Sequence, residues 1–495
     1  MASYSTEIPQ ENVIVRGGRS RDRLVIVNTS KSALIAAFLG VVALLPLSQP
    51  LTAQSAIAPP ASAQMDNVEV QKLARDILRV GTLERNSVMA RLVERGDTDI
   101  VPALIQSLRF LRQDPWTVTA ALESLTGEKL GGDWNKWMLW QEAHPEITPF
   151  EGFDAYKEWV FTKIDPNFSL FINPGVAHTI RLEEITWGGV RKDGIPALVN
   201  PPLVTPSDRD AGYLEDDELI FGVEINGDVR AYPLRMLDWH EMFNDVIGGV
   251  PVALAYCTLC GSGILFETDI EGRDAAFEFG SSGFLYRSNK LMYDRETNSL
   301  WNQFTGQPVV GELVDSGIEL RVRPVAITSW QKWLARHPDT KVLSIETGFS
   351  RDYTPGKPYA SYFNSPDLMF PTQINDTRLA PKDYVFALRL GTDEKAWSLN
   401  LFADQPVLSD TIGDRKIVLI GDPETRTVRA YESGDISFSK LAKNATAVIS
   451  PDGEWDITEA ALIAPDNRQL ARLPGHVAYW FAWQNFRAGV ETRVN

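Results

Sequence analysis

Cys257 and Cys260 are the only cysteines among 495 residues, and they stand three apart in the stretch Trp239–Ser262, WHEMFNDVIGGVPVALAYCTLCGS. The same stretch carries His240, one of five histidines. Cysteine and histidine supply most soft-metal, redox and nucleophilic chemistry, so chemistry of those kinds is expected here. Two intervening residues let both sulfurs approach one point when the backbone turns. That arrangement serves a disulfide, a redox dithiol or half of a metal site. A purely structural disulfide is the weakest of the three, because so short a loop gains little chain entropy. A chain of this length can also bury a core without a staple.

The metal reading takes His240, Cys257 and Cys260 as ligands, with Met292 of NKLMYDRETNSLW as the fourth. Thiolates and imidazole suit copper and zinc, and a thioether favours copper. Such a centre would carry electrons or deliver metal. His476 in LPGHVAYW is a further candidate for the fourth position. Plainer readings stand beside these: a lone histidine is more often a core or surface residue, and Met292 fills a core gap. Gly248-Gly249-Val250-Pro251 then matters, because it is a tight turn between the His240 helix and a strand ending at Cys257. Elements joined so closely pack together, which would bring the imidazole to the sulfurs.

The redox reading makes Cys257 the attacking thiol and Cys260 the resolving one. Glycines rather than a clear helix follow Cys260, so there is no thioredoxin-like βαβ context. A zinc-deaminase pattern, H-x-E with P-C-x-x-C, fails twice: Glu241 directly follows His240, and Tyr256 precedes the first cysteine. A non-enzymatic class stays open, a binding module that takes another envelope protein through the helical segment, residues 66–148, with a structural CxxC. His144, His178 and His337 look ordinary, with His144 solvated at a helix end. Asp294 and Arg295 read as a turn or an ion pair.

Three segments must position these residues. Residues 1–63 combine Arg16, Arg19, Arg21 and Arg23 with the apolar run Ala33–Ser48 and a small-residue Ala61-Ser62-Ala63 pattern. The run is short for a membrane span of roughly 20 residues. The segment therefore reads as a secretory signal peptide, with an uncleaved anchor as the alternative. There is no Arg-Arg pair, which favours the general export route. The body is accordingly expected outside the cytoplasm, in the periplasm or anchored on that side of a membrane.

Residues 66–148 repeat apolar residues at three- and four-residue spacing with breaks at Gly81, Gly96-Asp97 and Gln113-Asp114-Pro115, which predicts paired, HEAT-like helices. Trp134, Trp137 and Trp140 read as core packing there, with a partner surface as the functional alternative. Residues 150–490 alternate short β-rich runs with turns. Asn226-Gly227 is a strong hairpin signal, and helices are expected over 233–246 and 328–338, the latter capped by Ser329 or Thr328. No phosphate-cradling glycine loop follows a strand and opens a helix. The fold class expected is α+β: an all-α helical segment, then a mainly antiparallel β domain with short helices, closed as a barrel or sandwich.

Composition agrees with a folded, exported protein. Apolar residues make up 44% and charged residues 23%, and 14 Trp with 22 Phe fill large cores. The net charge is −17, which excludes a nucleic-acid partner, since a phosphate backbone needs a basic footprint. Residues 1–63 carry +2; subtracting that from −17 leaves −19 for the rest.

WHEMFND, PVALAYCTLCGSGILFE, GFLYRSNKLMYDRETNSLWNQFTGQPVVG and SWQKWLARHPDTKVLS together resemble the DUF3179 family of exported proteins. LAPKDYVFALRLG, DRKIVLIGDPETRTVRAYE and LPGHVAYWFAWQNF fit the same family. The resemblance covers roughly Ile195 to Phe486 and leaves the helical segment outside. It implies no activity, because the family is named for its unknown function. The family's cysteine motif is usually Tyr-Cys-Pro-Leu-Cys, whereas Thr258 replaces the proline here. Some members resemble selenocysteine proteins at a cysteine position, which implies redox or soft-metal chemistry.

Overall fold

The computed structural model describes residues 65–494 apart from 112, 113, 444 and 488. The expected leader and its cleavage site lie outside the described residues. Among the described residues, no helix is long and apolar enough to cross a membrane.

Six helices come first: Asn67–Arg79, Thr82–Arg95, Val101–Phe110, Trp116–Thr126, Trp134–Ala143 and Phe153–Phe161. Their ends follow local chemistry. The Asp66 carboxylate accepts from the Glu69 amide at 2.8 Å, and Asp133 accepts from the Asn135 amide at 3.0 Å. Gly96 and Gly127 end their helices at φ 76° and 80°, a conformation that costs glycine little. The first four pair in HEAT-like fashion. Their apolar faces share one core with the antiparallel sheet Ile185–Trp187, Phe279–Tyr286, Asn289–Asp294, Leu300–Asn302 and Gln307–Val310. The Phe284 ring lies 4.4 Å from Phe168 and 4.9 Å from Phe161. Trp137 is fully buried in this core, with Trp134 and Trp140 packed against it.

The remainder is β-rich and mainly antiparallel. One sheet carries the cysteines: Val322–Arg323, Ser262–Glu267, Val250–Cys257, Met242–Ile247 and Leu198–Val199, in that order. A second, containing Leu219–Ile225 and Asp228–Pro233, turns at Asn226-Gly227 with φ 51° and 80°, the backbone a tight hairpin requires. A four-stranded sheet pairs Tyr384–Leu390 with Gly475–Tyr479. An eight-stranded antiparallel sheet runs from Val407–Ile412 to Lys440–Leu441. The helix Trp330–Arg336 is capped by Ser329, which accepts from the Lys332 amide at 3.4 Å.

The helix expected over 233–246 is shorter. It runs Leu234–His240 and stops at Glu241, whose φ is 52°. Met242–Ile247 is instead a strand paired with Val250–Cys257 across Gly248-Gly249. Its apolar residues find a sheet partner eight residues on, and cross-strand pairing outweighs helical periodicity. Gly248 is required at this turn: a Cβ there would lie 2.1 Å from the Ile225 carbonyl oxygen.

Candidate functional site

The cysteine strand Val250–Cys257 turns through a short 3₁₀ turn, Thr258–Cys260, into the strand Ser262–Glu267, so that Cys257 faces Ser262 across the ladder. Gly261 completes the turn at φ 57°. The two Sγ atoms approach to 2.6 Å as free thiols. Cys260 is fully buried, and its thiol donates to the Ser288 carbonyl at 3.1 Å. Burial, and then the Cys257 sulfur beside it, push the Cys260 thiol well above the usual range. Cys257 is 3% exposed. Met292 belongs to the same buried cluster, on the strand Asn289–Asp294 opposite Trp301.

The structure does not bring His240 to this pair. Its Nδ1 meets the Pro196 carbonyl at 2.8 Å and its Nε2 meets the Tyr353 hydroxyl at 2.6 Å. A carbonyl only accepts, so the ring proton sits on Nδ1 and Nε2 accepts from the phenol. Thr347 in turn reaches the Tyr353 oxygen at 2.6 Å. Burial lowers His240 to about 4, which keeps it neutral. His476 is placed between Phe304 and Trp483, with ring centroids 5.6 and 6.0 Å away, and burial lowers it to about 3. Among the described residues, no group of three or more His, Cys, Asp or Glu is arranged to hold a metal ion. The helix packs mainly on the strands Leu219–Ile225 and Asp228–Pro233 rather than on Val250–Cys257, and the imidazole is turned toward Pro196 and Tyr353. Asn244, expected on the helix, lies on the strand and exchanges two hydrogen bonds with the Phe279 backbone at 2.8 and 2.9 Å.

The remaining histidines are structural. His144 stacks on Trp140 at 4.2 Å and is half-buried rather than solvated. His178 pairs with the Ile180 carbonyl, and the His337 ring lies tilted against Trp333 at 4.2 Å. Asp294 makes a turn by accepting from the Thr297 amide, while Arg295 forms ion pairs with Asp193 and Glu278.

A segment with little regular structure, residues 346–382, covers the thiols. Its one helix is Ala360–Phe363. The Tyr362 hydroxyl donates to the Leu259 carbonyl at 2.7 Å, inside the CxxC turn. The Tyr359 hydroxyl reaches Glu241 at 3.5 Å, and Glu241 pairs with the buried Lys290 at 3.0 Å. Burial first, then the charges of Glu241, Cys257 and Asp238, oppose ionisation of Tyr359.

A cavity of about 490 Å³ opens beside this cover. Tyr256, Tyr384 and Tyr479 line it. A Cβ on Gly261 would lie 3.0 Å from the Tyr384 ring and 3.1 Å from the Tyr479 ring, so these rings rest directly on the CxxC turn. One layer of tyrosine thus separates the cavity from the thiols. Asp238 also lines it and is 5% exposed, with Oδ1 lacking a partner among the described residues. Burial pushes its carboxyl up to about 8; Arg426 and the Tyr256 hydroxyl oppose the shift, and Glu241 and Glu218 add to it. Glu218 is raised by the same cause although it pairs with Arg235, and its Oε2 is likewise unpartnered.

Sequence reasoning missed Asp238, Tyr256, Tyr384, Arg426 and Tyr479. Two of them carried a local signal: Asp238 stands two residues before His240, and Tyr256 directly precedes Cys257. The others arrive from strands and turns more than a hundred residues away.

Fold and site together define an α+β protein with a buried CxxC dithiol under a tyrosine-rich cover. A family model described as "Protein of unknown function (DUF3179)" matches residues 192–489, and the chain belongs to that family. No curated protein and no solved structure matches the chain.

Proposed function

We propose that Cys257 and Cys260 form a thiol–disulfide exchange centre. The observation that carries this reading is the approach of two free thiols to 2.6 Å within one turn. The less buried Cys257 attacks a disulfide substrate as thiolate, which forms a mixed disulfide and releases one substrate thiolate. Cys260 then attacks the Cys257 sulfur, breaks the mixed disulfide and releases the second. Two electrons pass from the dithiol to the substrate, and the two cysteine protons end on the released thiols. The buried Cys260 stays protonated until the first step is complete, which suits a resolving thiol. Tyr359 and Tyr362 must move aside to admit a disulfide. An exported location, read from the leader, is one in which oxidised pairs persist.

A second reading keeps soft-metal binding. Met292 shares the buried cluster of Cys257 and Cys260, and two thiolates with a thioether suit monovalent copper. His240 would have to leave Tyr353 to join that donor set.

Mass spectrometry of the full chain across a series of reduced-to-oxidised glutathione ratios separates the two. Exchange chemistry predicts a reversible loss of two hydrogens, and a glutathione adduct that accumulates on Cys257 in Cys260→Ser. Thiols that stay reduced in the folded chain at every ratio sink the exchange reading. One copper per chain, lost in Cys257→Ser/Cys260→Ser, moves the weight to the metal reading.

A further inference from the structure

The cavity beside the dithiol contains two carboxyl oxygens without a hydrogen-bond partner among the described residues, Asp238 Oδ1 and Glu218 Oε2. A buried carboxyl oxygen without a partner is costly, and proteins rarely leave one without a use. Two of the three cations on the cavity wall, Arg235 and Lys382, already have polar partners. Arg235 pairs with Glu218. Lys382 donates to the Tyr362 and Ser365 carbonyls at 2.6 and 2.7 Å. The third, Arg426, lies over the Tyr384 ring at 4.4 Å and acts on Asp238 through its charge, without an ion pair among the described residues. At the mouth, Glu215 and Asp217 are exposed. An anion entering here would meet four carboxyls, and an apolar group would leave both orphan oxygens unmet. A group that brings N–H donors and positive charge meets both needs, and tyrosine faces add cation–π attraction.

We infer that this cavity binds the cationic head, an ammonium or guanidinium, of an organic molecule, with Asp238 as its principal partner. That this head belongs to the molecule the dithiol acts on rests on the exchange reading; the binding itself does not. Asp238 is faced by Arg426, Glu241, Glu218 and Tyr256. A bound cation favours its ionised form, so binding near neutral pH displaces a proton and tightens as pH rises toward about 8.

Agmatine, which carries both cationic groups, is the probe, with butane-1,4-diol and succinate as neutral and anionic controls. Calorimetric titration of the full chain and of Cys257→Ser/Cys260→Ser is expected to give agmatine binding in both and none with either control. Asp238→Asn is expected to weaken it at least about tenfold, the scale of one charge-assisted hydrogen bond. Glu218→Gln is the second variant, and thermal melts confirm that both are folded. Agmatine binding no tighter than the diol, or undiminished in both folded variants, overturns the inference. Binding in a chain whose thiols resist glutathione sinks only the exchange reading. Working thiols without agmatine binding sink only this one.

Discussion

Asp238 and Glu459 are both carboxyls on β-rich parts of the fold, 5% and 3% exposed, yet their surroundings drive them in opposite directions. Burial pushes Glu459 up too, but Arg429 and Arg472 outweigh it and hold the carboxyl well below the usual range. Arg429 donates to Oε1 through Nε at 2.9 Å and through a terminal nitrogen at 2.5 Å, and Arg472 donates to Oε2. Asp238 has Arg426 in its neighbourhood but no ion pair, and one oxygen lacks a partner. The first site is a closed charge cluster tying the strands Thr427–Glu432 and Gln469–Leu473 to the loop at Glu459. The second is an open one. A buried charge that is fully paired reports architecture, whereas one left unpaired at a cavity wall reports a binding need.

The largest effect is expected where the pairing is complete. Glu459→Gln leaves two buried guanidinium groups uncompensated and should destabilise the fold by about 3–5 kcal/mol in denaturant unfolding at neutral pH. Glu459 has a depressed folded value, so its contribution is present above the unfolded value and is lost as pH falls through the folded one. The gap between variant and wild type should therefore narrow in acid. A loss below about 1 kcal/mol would erase the distinction between the two carboxyls.

Asp238→Asn should act in the opposite direction. Its carboxyl is raised from 3.8 to about 8, so the folded state binds the extra proton. The stability this proton confers is full below the unfolded value and disappears as pH rises to about 8. The variant should thus match wild type near pH 4 and gain on it progressively as pH rises to about 8, read from paired pH–stability curves. Destabilisation above pH 8 would mean that Asp238 is satisfied after all.

The smallest effect sharpens the contrast from outside. Lys332 and Asp422 pair at 2.5 Å with half- and one-third-exposed side chains. A double-mutant cycle on this pair should give about 0.5 kcal/mol or less, falling further with added salt. A coupling as large as that of Glu459 would show that pairing alone, without burial, governs the ranking.

Much of the fold was legible locally. Asn226-Gly227 marks its hairpin because both positions need positive φ. Ser329 marks its helix start because its side chain caps an amide. The strand Met242–Ile247 was not legible, since a short apolar run satisfies helical and extended patterns alike until its partner is known. At the site, two cysteines three apart announced themselves by rarity. The pairing of His240 with Tyr353 did not, because the phenol arrives from 113 residues away whereas the cysteines stand far nearer in the sequence.

What the sequence by itself determined, then, were the features that depend on a few adjacent residues: capped helices, the hairpin turns, an acidic body and a CxxC able to close on itself. Tertiary structure alone decided which buried polar groups meet. It set Glu459 between two arginines, turned His240 away from the cysteines and left one oxygen of Asp238 without a partner among the described residues. The physical reason is range. Backbone preference and turn chemistry act within a few residues. The desolvation that raises one carboxyl and the ion pairs that lower another depend on groups brought together only when the sheets pack.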